Sequence, residues 1–279
     1  SYGKIEARHG LSASLEKDQD RIYVWVERAQ DPYVLALDPK TGEEIWKVPG
    51  IGSTSWASPR LLPIAGGEHL VCSGSGMIVG LDPKTGERLW QFGGIANNTS
   101  CTPAPVGEGQ FLIGASDGRG ETAAGAAAAS NGLIEVAVND EGTFEAKYKW
   151  QAEKATSSFG SPVVAGNTAA FVNRAGVLYR LDLKTGEQVS VSRTNAGGIW
   201  ATPLVAGGNI YLFGSKGKTS VISLADGKQI AENRCWETGN ENPEDAGPPR
   251  GSIQYAAAAA EDLLIIRRGD KLFAIGSKN

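Results

Sequence analysis

The chain has 279 residues, 37 of them Gly and 13 Pro, with 41% hydrophobic residues and a formal net charge of −4. That is the composition of a Gly-rich globular protein, and its acidity gives no basis for general nucleic-acid binding. No apolar run reaches the ~20 residues of a membrane span; two His exclude His-rich metal chemistry, and the three widely spaced Cys (Cys72, Cys101, Cys235) form no metal-site pattern and allow at most one internal disulfide.

Tyr2–Gly10, "YGKIEARHG", aligns with the later "TGEEIWKVPG" and reads as an outer strand with its exit loop. No Met precedes it, which implies processing or truncation at Ser1, and no basic-then-apolar leader is visible. Short alternating apolar runs follow at Arg21–Glu27, Tyr33–Asp38 and Glu43–Val48, and these are strand signals. The pattern then repeats. "LALDPKTGEEIWKV" (35–48) returns as "VGLDPKTGERLWQF" (79–92), and a turn Gly recurs at Gly42, Gly86, Gly142, Gly186 and Gly227, at intervals of 44, 56, 44 and 41 residues. Small residues followed by Pro open the later units: "WASP" (56–59), "CTPAP" (101–105), "FGSP" (159–162) and "WATP" (200–203).

Four short strands, A to D, in ~40–45 residues is the length of a propeller blade. Gly and Pro inside every candidate helix disfavour a helical repeat. The last unit supplies "EDLLIIRR" and "KLFAIG" and stops before its outer strand, so Tyr2–Gly10 is expected to complete that blade and remove an open sheet edge. The expected fold is all-β: one β-propeller domain over residues 1–279 with six four-stranded blades. "AAAAA" (256–260) is expected as the innermost strand of the last blade, its small side chains suited to a crowded ring axis.

"D-P-K-T-G-E-x-x-W" after a strand, with "[ST]-P" opening the next unit, resembles the tryptophan-docked repeats of pyrroloquinoline-quinone-type propellers over nearly the whole chain. That repeat occurs in quinoprotein alcohol dehydrogenases, in the lipoprotein that assists outer-membrane β-barrel assembly, and in many uncharacterised secreted bacterial propellers, which this sequence resembles most. Members of the last group commonly have eight blades, which leaves room for two more before Ser1. The resemblance implies a periplasmic or extracellular location. It also implies that Trp46, Trp90 and Trp150 pack between neighbouring blades, each giving its indole N–H to a backbone acceptor. The corresponding positions elsewhere are Ser190, Ala231 and Ala7, so half the ring is expected to be less firmly locked.

In such a fold the D-to-A and B-to-C connections share one face. Both long insertions, 117–132 and 235–252, fall there, and loops of this length are commonly functional. The Ala/Gly tract of the first is expected to be a mobile loop rather than a helix, because Gly125 interrupts it. The Pro-rich second loop, carrying Trp236, is the better candidate lid, against a plain surface excursion. The A-strand entrances Trp56, Cys101, Phe159, Trp200 and Gln254 face the same mouth. The turns add Arg174, Lys216, Lys218, Arg267 and Arg268, with Arg8 and His9 beside them. The candidate ligand-binding residues are therefore His9, Trp56, Phe159, Arg174, Trp200, Lys216, Trp236, Gln254 and Arg268, an aromatic funnel with a basic collar. The competing reading is that Trp56, Phe159 and Trp200 fill wedges between blades and the basic turns are solvated surface.

With no compact catalytic constellation in view, the expected function is a non-catalytic binding or scaffold propeller. It would be monomeric and take a protein, small-molecule or glycan ligand on the long-loop face; no catalytic residue, metal site, cofactor, nucleic-acid partner or membrane span is assigned. Barrel-assembly scaffolding is a sub-case. A first alternative is a quinoprotein dehydrogenase, holding pyrroloquinoline quinone over the channel with Ca²⁺ on oxygen ligands and a carboxylate base. Against it, the Cys are isolated, and the nearby acids Asp117, Glu121, Glu237 and Glu241 sit in the long loops. A second alternative is a carbohydrate-active hydrolase or lyase, with His9 and Glu237 or Glu241 as acid–base partners.

Overall fold

The computed structural model describes residues 11–28, 30–52, 55–74, 76–116, 126–236, 255–269 and 271–276. They form six antiparallel sheets in which the strands pair in chain order. Two compact units divide the chain, Ser1–Lys154 and Ala155–Asn279, with three sheets in each.

In the first unit, the first sheet comprises β1 (Glu16–Lys17), β2 (Ile22–Val26), β3 (Tyr33–Leu37) and β4 (Glu44–Pro49). The second comprises β5 (Arg60–Ile64), β6 (Gly67–Gly74), β7 (Met77–Leu81) and β8 (Arg88–Gly93). The third comprises β9 (Ala104–Gly107), β10 (Gln110–Ile113), β11 (Gly132–Val138) and β12 (Phe144–Gln151). In the second unit, the fourth sheet comprises β13 (Val163–Ala165), β14 (Thr168–Val172), β15 (Val177–Asp182) and β16 (Gln188–Arg193). The fifth comprises β17 (Leu204–Ala206), β18 (Asn209–Phe213), β19 (Lys218–Ser223) and β20 (Gln229–Arg234). The sixth has three strands among the described residues: β21 (Tyr255–Ala260), β22 (Leu263–Arg268) and β23 (Lys271–Ile275). The strand expected at Tyr2–Gly10 to complete it lies outside the described residues.

The repeated "DPKTGE" is a self-contained turn. Asp82 Oδ1 accepts the N–H groups of Lys84 at 2.6 Å and Thr85 at 3.0 Å, Gly86 N–H returns to the Asp82 carbonyl at 2.8 Å, and Thr85 Oγ1 accepts Glu87 N–H. Asp38 and Asp182 repeat the arrangement. Gly86 sits at φ +76°, where a side chain is strained, which is why Gly closes each copy. A register shift follows in the pairing of the third with the fourth strand, at Ala36/Leu37, Gly80/Leu81, Arg180/Leu181 and Val221/Ile222. This bulge turns the residue after it, Trp46 or Trp90, onto the face toward the next sheet.

The "[ST]-P" signal ties sheets together. Ser14 N–H donates to Ser58 Oγ at 2.9 Å, and Ser58 N–H donates to Thr102 Oγ1 at 3.0 Å. In the second unit, Ser161 N–H donates to Thr202 Oγ1 at 3.0 Å. Each hydroxyl satisfies the donor of the preceding sheet, and the Pro after it has no N–H to leave unpaired.

Between sheets, large side chains fill the wedge. Trp46, 9% exposed, packs with Leu70, Cys72, Val79 and Leu81 of the second sheet and donates its Nε1–H to the Pro83 carbonyl at 3.1 Å. Trp90 packs with Phe111, Ile113 and Ile134 of the third sheet, but its Nε1–H goes to His69 Nδ1 of its own sheet at 2.9 Å. The expected backbone acceptor is thus replaced by a buried imidazole. Trp150 is buried in β12. Where the fourth sheet has Ser190 in place of Trp, the opposite residue on β15 is Arg180. Its guanidinium crosses to the fifth sheet and donates to the Leu224 carbonyl at 2.7 Å. At Ser190, where a less firm lock is expected, a second residue type does the bridging.

Two further expectations change. Ala126–Ala129 forms a helical turn, α1, not a loop. Ala has the highest helix propensity, and buried Asn131 ties the turn down, its Nδ2 donating to the Ala127 and Ala115 carbonyls while Oδ1 accepts Ala115 N–H. In β21, Ala256 and Ala258–Ala260 are exposed, so their small size does not answer crowding among the described residues.

Candidate functional site

In an antiparallel four-stranded sheet, the turn from second to third strand and the exit from the fourth strand lie at the same end. In the second unit the described connections at that end are 155–162, 173–176, 194–203, 214–217, 235–236 and 269, and their charged residues are Arg174 and Lys216; Glu153 and Lys154, of opposite charge, directly precede the first of them in the chain.

Aromatic residues accompany these cations. Phe159 and Trp200 lie with ring centroids 4.4 Å apart, and the Arg174 guanidinium sits over the Trp200 ring at 5.3 Å. Phe159 is 39% exposed and Arg174 is exposed, so this group meets solvent. Trp236 stacks on Phe273 at 5.7 Å with the Arg268 guanidinium 5.4 Å above its ring. Trp200 and Trp236 pack against one apolar cluster built on Ala201, Phe213 and Ile266. Both groups follow from sequence position: each Trp lies in the connection after a fourth strand, and each Arg stands at or next to a turn between second and third strands.

Of the nine residues expected to bind a ligand, the structure brings Phe159, Arg174 and Trp200 together, and Trp236 with Arg268. Lys216 lies next to Gly217, where an added Cβ would press on the Trp236 ring. Trp56 belongs to the first unit; its N–H donates to the Thr99 carbonyl and its own carbonyl accepts Ser12 Oγ. His9 and Gln254 lie outside the described residues, as do 117–125 and 237–252 of the two insertions. Lys218 is held by Glu232 at 2.6 Å, and Arg267 Nε donates to the Gly269 carbonyl. The acids invoked for the enzyme alternatives, Asp117, Glu121, Glu237 and Glu241, also lie outside the described residues. Among the described residues, no three His, Cys, Asp or Glu side chains converge as a metal site.

Sequence reasoning missed Phe273, which carries the Trp236 stack. Its place in "KLFAIG" marked only a strand.

Comparison with known proteins gives the class first. The solved structure of BamB from Moraxella catarrhalis aligns over 93% of this chain and 70% of its own, with TM-score 0.64 and 14% identity. The C-terminal WD40 domain of Sif2 aligns over 95% of this chain and 66% of its own, with TM-score 0.60 and 11% identity. The fold is a β-propeller of four-stranded sheets. The family model described as outer membrane protein assembly factor BamB matches residues 3–192 and 146–279, and the chain belongs to that family. No curated protein matches it in sequence.

Proposed function

We infer that this chain is a non-catalytic binding propeller, working as a monomeric single domain outside the cytoplasm, that holds a protein partner. The observation that carries the reading is the solvent-facing Phe159–Trp200 pair with Arg174 stacked on it, at the end of the second unit that also presents Lys216. Rigid aromatic rings and Arg are the residues that dominate the energetics of protein interfaces. Family membership supports the same reading, since the family is named for outer membrane protein assembly. Small-molecule and glycan ligands are the narrower options for this end.

Site-specific photocrosslinking tests it. A photoreactive residue replaces Lys216, at the basic end, or Lys184, in a turn at the other end of the fourth sheet. The expected result, in envelope extract, is a discrete protein adduct from position 216, none from 184, and loss of the adduct in Phe159→Ala/Arg174→Ala. Equal adducts from both positions, or none from 216, would reject the proposal.

A further inference from the structure

The fifth and sixth sheets line a cleft of about 840 Å³ whose lining includes neither Arg174, Phe159 nor Trp200, although Trp200 packs against the same apolar cluster. Its origin lies in one row of side chains that each sheet turns toward the next. That row runs Tyr23, Ala36, Trp46 in the first sheet and Val71, Gly80, Trp90 in the second. It runs Ala170, Arg180, Ser190 in the fourth and Tyr211, Val221, Ala231 in the fifth. In the first three cases one member is an indole or a guanidinium, and its partner on the neighbouring strand is small. A Cβ on Gly80 would overlap the Trp90 ring. In the fifth sheet the row holds no indole or guanidinium: Val221 is buried and Ala231 is small, and the cleft opens next to them along the same strands, at Tyr211, Thr219 and Asn233. The facing sheet does not compensate: β5 offers Leu61 where β21 offers Ala259.

The geometry points to a binding site for a flat, uncharged, bicyclic or tricyclic aromatic molecule in this cleft. Three observations choose that class. The same wedge is occupied by an indole ring between the first and second sheets and again between the second and third, so two twisted sheets of this repeat already fit a flat ring system. The walls present Tyr211, Leu204, Leu264, Ile266 and Phe273, apolar and partly aromatic, and the volume falls in the range of small-molecule pockets. The charged lining stands at opposite ends, Arg234 at one and Glu261 with Asp262 at the other, leaving the middle neutral. Asn233 and the Tyr211 hydroxyl supply polar contacts for a heteroatom on the ring. In the first sheet the equivalent Tyr23 hydroxyl donates to Asp18 at 2.6 Å, whereas Tyr211 lines the cleft.

The test uses N-phenyl-1-naphthylamine, a neutral aromatic probe that brightens in apolar surroundings, with the full chain. Cys235 lines the cleft and is half-buried, while Cys72 and Cys101 are fully buried, so alkylation of Cys235 reports on this site alone. The expected result is saturable fluorescence, and Cys235 alkylation about tenfold slower at a probe concentration about ten times Kd. Val221→Gly/Ala231→Trp, which copies the Gly80–Trp90 pair, should abolish both effects. Arg174→Ala should leave them unchanged, which separates this site from the protein-binding end. Decanoate, an alkyl probe, should compete weakly. Absence of saturable binding, binding without protection of Cys235, or stronger binding of decanoate would each overturn the assignment. Protection of Cys235 in the unaltered chain decides the matter even if the filled variant does not fold.

Discussion

The Arg180 guanidinium donates to the Leu224 carbonyl at 2.7 Å, the same turn carbonyl that, one repeat type earlier, Pro83 offers to the Trp46 indole. Arg180 comes from the third strand of its sheet and Trp46 from the fourth, yet both reach the second residue of the next sheet's Gly-closed turn, the one after Asp82 or Ser223. Arg180 is 6% exposed, and a Cβ on Gly227 would strike it, as a Cβ on Gly86 would strike Trp46. Two residue types at two positions thus make one inter-sheet contact.

Arg180→Ala should therefore destabilise the second unit strongly. It opens a cavity and leaves a half-buried carbonyl without its donor, and changes of that kind cost about 2–4 kcal/mol. Urea unfolding of the single variant and of Arg180→Gly/Ser190→Trp is the check. The double variant copies the second sheet's pairing and should recover most of the loss. Recovery no better than the single variant would show that the arginine is not acting as a plug.

Trp90 and His69 make a second, different lock. His69 Nδ1 accepts the indole N–H, so its own proton resides on Nε2, and Phe144 packs edge-on against the ring at 4.5 Å. Burial holds the His69 pKa below its ordinary 6.5. A base whose folded pKa is depressed binds its proton less readily than in the unfolded chain. The stability it confers is whole above pH 6.5 and is lost as pH falls through the folded value. His69→Gln keeps an acceptor and should flatten that part of the pH–stability curve. His69→Leu leaves the indole N–H unpaired and should cost about 1–3 kcal/mol at neutral pH.

The Asp turns predict an acid limb of their own. Backbone N–H groups of Thr41 and Lys40 hold Asp38 below the usual carboxylate value, and those of Thr185 and Lys184 do the same for Asp182. Their contribution is present above pH 3.8 and disappears as pH falls through the folded values. Asn139 makes the equivalent turn in the third sheet through its amide oxygen. Asp38→Asn/Asp182→Asn should therefore keep the fold and lose this component of acid sensitivity, measured by thermal melts between pH 5 and pH 2.

The three thiols should separate by accessibility. Cys72 and Cys101 are buried, and burial raises the Cys72 pKa far above that of a free thiol. Native alkylation should modify Cys235 alone, with the other two reacting only on unfolding, as read by intact mass. Early modification of Cys72 or Cys101 would show that the sheets of the first unit open readily.

Much of this protein is decided by chemistry local to the chain. Alternating runs, a Gly at positive φ and an Asp that caps its own turn act within a few residues, so strands, turns and the repeat could be read directly. The aromatic and basic residues at the second unit's loop end were also legible, because antiparallel order sets which connections share an end. What only the tertiary structure decided depends on partners in other strands or other sheets. The helical turn at Ala126–Ala129 is fixed more locally, by buried Asn131 bonding to Ala127 and Ala115. That Arg180 replaces a tryptophan, that Trp90 turns to His69, and that a cleft stays open between Tyr211 and Phe273 are outcomes of side-chain volume matched between strands and between sheets. Such fits depend on which surfaces the fold brings face to face, and a repeat read along the chain names the surfaces without measuring the gap between them.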